Sequence, residues 1–320
     1  MQPPLRTLYA DTPPLRSHRI DVGDGHVLSV REHGRADGIA AVVLHGGPGS
    51  GTSPLLKRFL DPARYRIVCI DQRGAGASTP AGSIEHNTTA HLLADLRRVR
   101  ATLGIARWLV VGGSWGATLA LAHALEEPDA VAALLLRGTW LARSDDVAQF
   151  FAGAAFGDGL DSDDVALRVE TLAQRLQHGS VEQQRACALA WSRWEQRMAR
   201  PQMSDDPVAA ALDVDALIRR YRIQSHYLRH GCWLQERPPL LQRCAHLSPR
   251  PLRLLHGTHD RICPSDGARA LQRAVPHATL QWVNGAGHDP SHPAMIDAMV
   301  RALDAYAAHG TFDEDRAGAA

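Results

Sequence analysis

The first half of the chain alternates short apolar runs with stretches in which apolar residues recur at helical spacing. The runs Ala40–Leu44, Arg66–Ile70 and Val131–Leu136 are typical of strands buried on both faces. Between them, Leu92–Leu103 has the spacing of an amphipathic helix, which Gly104 would end. Such alternation predicts a parallel sheet with helices on both faces. Before it, Arg19–Val22 and Val27–Glu32 predict a hairpin.

The pattern changes near Ser144. From there to about Leu247 the chain is rich in Ala, Arg, Gln and Leu and has few β-branched runs. Helical periodicity covers Arg168–Gln177, Val181–Arg200 and Val214–Tyr227. We interpret this stretch as an all-helical insertion, or cap.

Strand and helix alternate again after the insertion. We predict strands at Pro251–Leu255 and Thr279–Val283, and helices at Ser265–Ala274 and Ala294–Ala308. The polar tail 311–320 is expected to be disordered. The predicted organisation is therefore a first core segment at 1–143, a cap at 144–247, a second core segment at 248–310 and the tail.

The sequence Gly112-Gly-Ser114-Trp-Gly116 lies between an apolar, β-branched run and an Ala/Leu-rich helical run. This is the strand–turn–helix context in which the serine of a G-x-S-x-G sequence becomes a nucleophile. A serine hydroxyl is a weak nucleophile, so the turn must expose it and a base must reach it. The helix that follows directs its free N–H groups and positive dipole end at the reacting oxygen.

A nucleophilic serine needs a histidine base, and that histidine needs an acid to orient it. Asp260 lies in the loop after the predicted strand Pro251–Leu255, and His288 lies in the loop after Thr279–Val283. The chain order serine, aspartate, histidine fits this kind of triad. The chain has 17 histidines, and the competitors fit the required loops less well. These competitors are His45, His259 and His292, with Asp266 and Asp289 as alternative acids.

Acyl transfer also needs hydrogen-bond donors for a developing oxyanion. We expect one to be the backbone N–H of Trp115, directly after the serine, and the other to be that of Gly47. Gly47 belongs to the glycine-rich loop 45–51, which follows a predicted strand. A second glycine-containing loop, Asp71–Ser78, fits no phosphate-binding pattern and is interpreted as a brace for the first.

Composition excludes several other classes of protein. The 320 residues carry a formal charge of +1, so nothing indicates a nucleic acid or an acidic membrane as partner. Five cysteines without C-x-x-C spacing argue against a disulfide framework or a zinc site. The first residues lack the apolar core of a signal peptide, and no apolar run approaches a membrane span. We expect a cytoplasmic protein without metal or cofactor. The sequence does not determine the oligomeric state, and a homo-oligomer is compatible with it.

Several motifs together resemble the proline iminopeptidases (prolyl aminopeptidases), which are serine peptidases of the α/β-hydrolase fold. The resemblance runs from about Leu8 to Ala308 and includes the cap. The motifs are His45-Gly-Gly-Pro-Gly, Asp71-Gln-Arg-Gly-Ala-Gly, Gly112-Gly-Ser-Trp-Gly, Leu136-Arg-Gly138 and Trp191-Ser-Arg-Trp-Glu195. The resemblance implies a mostly parallel eight-stranded sheet, helices on both faces and an inserted helical cap. It also implies release of an N-terminal residue, preferably proline, from short peptides with a free N-terminus.

By the same resemblance, Ser114, Asp260 and His288 would be the triad, and Glu195 would hold the free amino group of the substrate. An ammonium at the closed end of a pocket needs an anion, and a charge-assisted hydrogen bond there is worth about 1.5–3 kcal/mol. Other pocket positions would be occupied by Trp140, Phe150 and Cys263. Trp191 and Trp194 could form cap core, pocket wall or both, and Glu195 could instead be a solvated helix residue.

The chain departs from the family in one segment, Ile223-Gln-Ser-His-Tyr-Leu228. Gln224 stands where the family has a second glutamate, and Leu228 replaces an aromatic wall of the ring pocket. The amide oxygen of Gln224 can still accept a hydrogen bond. We therefore hypothesise an iminopeptidase-like hydrolase with relaxed or shifted specificity for the N-terminal residue.

Two other functions stay open on the sequence alone. An esterase or amidase of the same fold would keep the triad but ignore a free amine. A catalytically silent binding protein would not use the triad at all. Epoxide hydrolases and dehalogenases of this fold need an aspartate where this chain has Ser114.

Overall fold

The computed structural model describes residues 4–157, 159–199, 213–234 and 238–313. Within them, eight strands form one sheet in the spatial order β1-β2-β4-β3-β5-β6-β7-β8. The strands are β1 Arg16–Asp21, β2 Val27–Gly34, β3 Ile39–Leu44, β4 Tyr65–Asp71, β5 Trp108–Ser114, β6 Val131–Thr139, β7 Leu252–Gly257 and β8 Ala278–Val283. β2 pairs antiparallel with β1 and β4, and all other pairs are parallel, which confirms the predicted mostly parallel eight-stranded sheet.

The α-helices of the described residues fall into a core set and a cap set. The core set is α1 Pro54–Lys57, α2 Thr89–Thr102, α3 Trp115–Glu126, α8 Leu240–Cys244, α9 Ser265–Ala274 and α10 Pro293–His309. Although α8 lies inside the predicted cap range 144–247, its Leu240 and Cys244 pack in the core layer against the sheet. The cap set is α4 Ser144–Phe151, α5 Val165–His178, α6 Val181–Ala199 and α7 Val214–Arg229. Among these helices, none is long and apolar enough to cross a bilayer.

Alternate residues of each central strand face two separate apolar layers, because side chains alternate across a strand. In β3, Val42 and Leu44 pack in the layer that contains α2, α3 and α9. Ala41 and Val43 pack in the opposite layer, which contains α10. All four side chains are almost fully buried, so the central strands are apolar on both faces.

The cap helices enclose an apolar core of their own. Trp191 of α6 is fully buried and stacks on Tyr221 of α7, with ring centroids 4.9 Å apart. Phe151 of α4 meets the same tryptophan edge to face. The indole N–H of Trp194 donates to the Phe150 carbonyl at 3.1 Å. Both tryptophans therefore belong to the cap core.

Most predicted elements lie within a few residues of the observed ones. The short helices α1, α4 and α8 were not predicted. Arg200, the last residue of the predicted helix Val181–Arg200, lies outside the described residues. In the expected disordered tail, residues 314–320 also lie outside them, but Phe312 is buried and stacks on Tyr306.

Candidate active site

The candidate nucleophile, Ser114, lies at the junction of β5 and α3 in a strained conformation. Its φ of 56° and ψ of −125° are uncommon for a residue with a side chain. The turn is so tight that a Cβ on Gly116 would lie 2.2 Å from the Leu44 carbonyl oxygen. A Cβ on Gly112 would lie 2.3 Å from the Gly116 oxygen. The two glycines therefore let α3 start directly against the sheet, with Ser114 at its N-terminus.

Asp260 and His288 form a buried, oriented pair. Nδ1 of His288 lies 2.8 Å from Oδ2 of Asp260. The other carboxylate oxygen, Oδ1, accepts the backbone N–H groups of Ile262 at 3.0 Å and Cys263 at 2.8 Å. Burial alone would raise the pKa of Asp260, but the charge and hydrogen bond of His288 and the Cys263 N–H outweigh it and lower that pKa. The carboxylate is thus held ionised and aimed at Nδ1, which leaves Nε2 of His288 to act as a base.

Cys263 links this pair to the serine. Its Sγ lies 3.8 Å from Oγ of Ser114. The ligand-type atoms of Asp260, Cys263 and His288 lie within 4.8 Å of one another. Ser114 and His288 line the same cavity. The fold therefore brings together three residues that are up to 174 positions apart in the chain, at the carboxyl ends of β5, β7 and β8.

The glycine-rich loop after β3 lies against the serine. A Cβ on Gly46 would lie 3.4 Å from Cβ of Ser114 and 4.0 Å from its Oγ. Gly47, the next residue, lines the cavity with a φ of 114°. The backbone of the loop thus approaches the position at which an oxyanion would form, as the prediction for Gly47 and Trp115 requires.

The loop after β4 braces this loop, as predicted. The backbone N–H of Gln72 donates to Nε2 of His45 at 3.1 Å, and its side-chain amide donates to the His45 carbonyl at 3.0 Å. Oε1 of Gln72 accepts the Trp115 indole N–H at 2.9 Å. Asp71 accepts the backbone N–H of Thr52 at 2.7 Å. Both nitrogens of buried His45 are used, because Nδ1 lies 2.8 Å from the Gly46 oxygen, so this histidine is structural.

One cavity of about 160 Å³ contains the serine. Sheet loops and cap helices both contribute to its wall. Of the predicted site residues, it is lined by Gly47, Ser114, Trp140, Phe150, Glu195, Gln224, Leu228, Cys263 and His288. Trp115 directly follows Ser114 in the chain, and Asp260 is bonded to His288 of the lining. Nine of the residues that we predicted from sequence for the site therefore line the same cavity.

Glu195 is a buried carboxylate with three hydrogen-bond donors around it. Oε2 accepts from Nη2 of Arg220 at 2.5 Å and from the Tyr221 hydroxyl at 3.1 Å. Oε1 accepts from Nε2 of Gln224 at 2.8 Å. Only 9% of Glu195 is exposed, which rules out the solvated helix residue considered above. The N–H₂ group of Gln224 donates to Glu195, and its Oε1 has no hydrogen-bond partner among the described residues.

Three residues of the site were not assigned a role from sequence. Nη1 of Arg137 donates to the His288 carbonyl at 2.6 Å. A Cβ on Gly138 would lie 3.1 Å from Cε1 of His288 and 3.2 Å from Oδ2 of Asp260. These contacts explain the Leu136-Arg-Gly138 motif at the end of β6. The third, Arg220, lies four residues before Gln224, a helical spacing that places both on one face of α7.

Comparisons with known proteins agree with this geometry. Residues 41–293 match the family described as the alpha/beta hydrolase fold. The chain is 37% identical to the proline iminopeptidase of Xanthomonas citri, over 95% of this chain and all of that protein. The chain belongs to the proline iminopeptidase family. Another member, the proline iminopeptidase of Arabidopsis thaliana, is 37% identical over 92% of this chain and 80% of its own length.

A solved structure of this family is similar as well. The proline iminopeptidase-related protein of Thermus thermophilus is 26% identical and superposes with a TM-score of 0.59. The match covers 92% of this chain and 97% of that one. The likeness therefore includes the cap as well as the sheet.

Proposed function

We propose that this protein is a serine aminopeptidase that releases the N-terminal residue of short peptides through an acyl-enzyme. The observation that carries the proposal is the buried carboxylate of Glu195 in the same cavity as Ser114 and His288. A triad alone would serve any ester or amide, whereas the carboxylate beside it has an acceptor position left for an N–H of a substrate amine. Membership of the proline iminopeptidase family supports the same activity.

In the proposed reaction, Nε2 of His288 takes the proton of the Ser114 hydroxyl while Oγ attacks the scissile carbonyl carbon. The negative charge that develops on the carbonyl oxygen is stabilised by the backbone N–H groups of Gly47 and Trp115. His288 then protonates the leaving amine, the C–N bond breaks and an ester on Ser114 remains. A water molecule that gives its proton to His288 hydrolyses this ester, and Asp260 holds the imidazole throughout.

The cap residues would fix which N-terminal residue is accepted. Gln224 lines the cavity, and its buried Oε1 has no hydrogen-bond partner among the described residues, so we assign it as an acceptor for an N–H of the substrate amine. Trp140, Phe150, Leu228 and Cys263 supply an apolar wall for the side chain or ring. The aliphatic Leu228 supports the hypothesis of a relaxed or shifted preference rather than a strict one for proline.

Replacement of the nucleophile tests the proposal. We expect Ser114→Ala to lower kcat toward alanine and proline arylamides by about 10⁴–10⁶ and to abolish labelling by a fluorophosphonate. Circular dichroism should be unchanged, because only one oxygen is removed. A wild-type protein that is neither labelled nor active on any free-amine arylamide would contradict the proposal.

A further inference from the structure

The carboxylate that would receive the substrate's ammonium is already paired with a cation of the protein. Arg220, Tyr221 and Gln224 donate three hydrogen bonds to Glu195, and the shortest comes from the guanidinium of Arg220. A carboxylate has about four acceptor positions, so a single one is left at Glu195. The negative charge of Glu195 is compensated before any substrate arrives.

The guanidinium of Arg220 is held beside Glu195 by that carboxylate and by the ring of Tyr221. Its side chain is 31% exposed and lines the cavity. Its Cζ lies 5.0 Å from the centre of the Tyr221 ring, within the range of a cation–π contact. Burial would lower the pKa of Arg220, but the Glu195 carboxylate raises that pKa above its ordinary value. The guanidinium therefore stays charged at any working pH.

The charges around the cavity do not favour a cation. Among the described residues that line it, Arg137 and Arg220 are positive and Glu195 is negative. Asp260 adds one more negative charge that is bonded to His288. The cavity and the triad together are thus formally neutral when His288 is neutral. A site of this kind offers a substrate ammonium little net attraction compared with an unpaired buried carboxylate.

We infer that Arg220 takes the place of the substrate ammonium at Glu195, so that the cavity also accepts acyl groups without a charged amine. The substrate class then includes esters and amides of N-acylated amino acids besides free N-terminal residues. This inference rests on the proposed function and adds a specificity-determining residue to it. The unpartnered Oε1 of Gln224 serves both kinds of substrate, since an amide N–H and an amine N–H are both donors.

The experiment compares alanine arylamide with N-acetylalanine arylamide. Alanine is chosen because its acetylated form keeps an N–H for Gln224, which acetylproline lacks. The ratio of kcat/KM for the free to the acetylated substrate is measured in wild type, Arg220→Met, Arg220→Lys and Arg219→Met. The rate of p-nitrophenyl acetate hydrolysis reports how much of each preparation has a working triad, and the kcat/KM values are normalised to that amount. Arg219 is the matched control, because its guanidinium pairs with Asp213 on the exposed side of α7.

We expect a wild-type ratio below about ten, since one charge-assisted bond to an unpaired Glu195 would alone be worth about that factor. Arg220→Met should raise the ratio about tenfold or more, through a lower KM for the free amine. Arg220→Lys and Arg219→Met should keep the wild-type ratio, because the first retains the internal cation and the second lies outside the cavity.

The outcomes separate this inference from the proposed function. If wild type prefers the free amine by about a hundredfold or more and Arg220→Met leaves that preference unchanged, the inference is wrong and the aminopeptidase stands. The inference is also wrong if Arg220→Met loses free-amine activity. If wild type hydrolyses only the acetylated substrate and Arg220→Met gains the free amine, the role of Arg220 is supported and the proposed function of the wild type fails.

Discussion

At the scale of single residues, Asp260 and Cys263 are neighbouring buried groups whose pKa values shift in opposite directions. The carboxylate of Asp260 is surrounded by donors, so its charge is stabilised and its pKa is lowered despite burial. Burial and the nearby Asp260 carboxylate raise the pKa of the Cys263 thiol well above the usual value, although the contact with the Ser114 hydroxyl lowers it. The chemistry beside Ser114 therefore falls to the oxygen nucleophile rather than to the sulfur.

This contrast predicts the response to thiol reagents. All five cysteines are buried, and burial raises the pKa of Cys69, Cys187 and Cys244 to about 12. The thiolate is the reactive form, so iodoacetamide at pH 8 should leave the native protein unlabelled and fully active. The same reagent in urea should label five thiols, as measured by mass spectrometry. Loss of activity in the native state would show that a thiol in the cavity is reactive and contradict the prediction that burial protects it.

At the scale of elements, the packing of α3 on β5 places a histidine where it cannot easily be charged. His123 of α3 is fully buried and accepts the indole N–H of Trp108 at 3.1 Å. Burial lowers its pKa from 6.5 to about 4. In the unfolded chain His123 takes up a proton below about pH 6.5, whereas in the folded protein it does so only near pH 4. Stability contributed by this site is therefore present at neutral pH and lost as the pH falls through that window.

We predict that the free energy of unfolding decreases between pH 7 and pH 4.5, with His123 contributing on the order of 3 kcal/mol. His123→Gln keeps an acceptor for Trp108 but does not titrate, so its stability should depend less on pH than that of wild type. Urea unfolding at the two pH values measures the difference. His309→Gln, on the exposed end of α10, is the control and should behave like wild type. An unchanged pH dependence in His123→Gln would show that the site is not responsible.

Elements were predictable where one local signal decides the structure. The central strands read as unbroken apolar runs because both of their faces are buried, and the residues after them supplied the triad. Helix α4, Ser144–Phe151, was missed because it is only eight residues long and starts with Ser-Asp-Asp, which also suits a loop. Its start is fixed instead by Asp146, which accepts the backbone N–H groups of Leu141 and Arg143.

The pairing of Glu195 with Arg220 could not be predicted with the same ease. The two residues lie on different helices, α6 and α7. No local sequence pattern shows which face of one helix is turned toward the other. The spacing of Arg220 and Gln224 on α7 indicates a shared face, but only tertiary packing turns that face toward Glu195. The roles of single pocket residues could therefore not be predicted without the packing of the helices. The triad could be predicted, because its residues follow strand ends in the expected chain order.

At the scale of the whole molecule, the position of the cavity between the sheet and the cap decides how much of a substrate can enter. Serine and histidine come from the carboxyl ends of the strands, and Phe150, Glu195, Gln224 and Leu228 of the cap close over them. A peptide bond within a long chain would need room for residues on both sides of Ser114. A cavity of about 160 Å³ holds a small acyl group but not an extended chain.

This geometry predicts stepwise hydrolysis of trialanine arylamide. Alanine should leave first, dialanine arylamide should accumulate, and the arylamine should appear only after a lag, because each acyl group in the cavity is one residue long. Quenched samples analysed by mass spectrometry give the order of products, and alanine arylamide, which needs one cleavage, should show no lag. Immediate release of the arylamine together with intact trialanine would mean that the acyl side of the cavity is open. The cap would then orient the substrate without limiting its length, and Glu195 would lie beside the peptide rather than at its end.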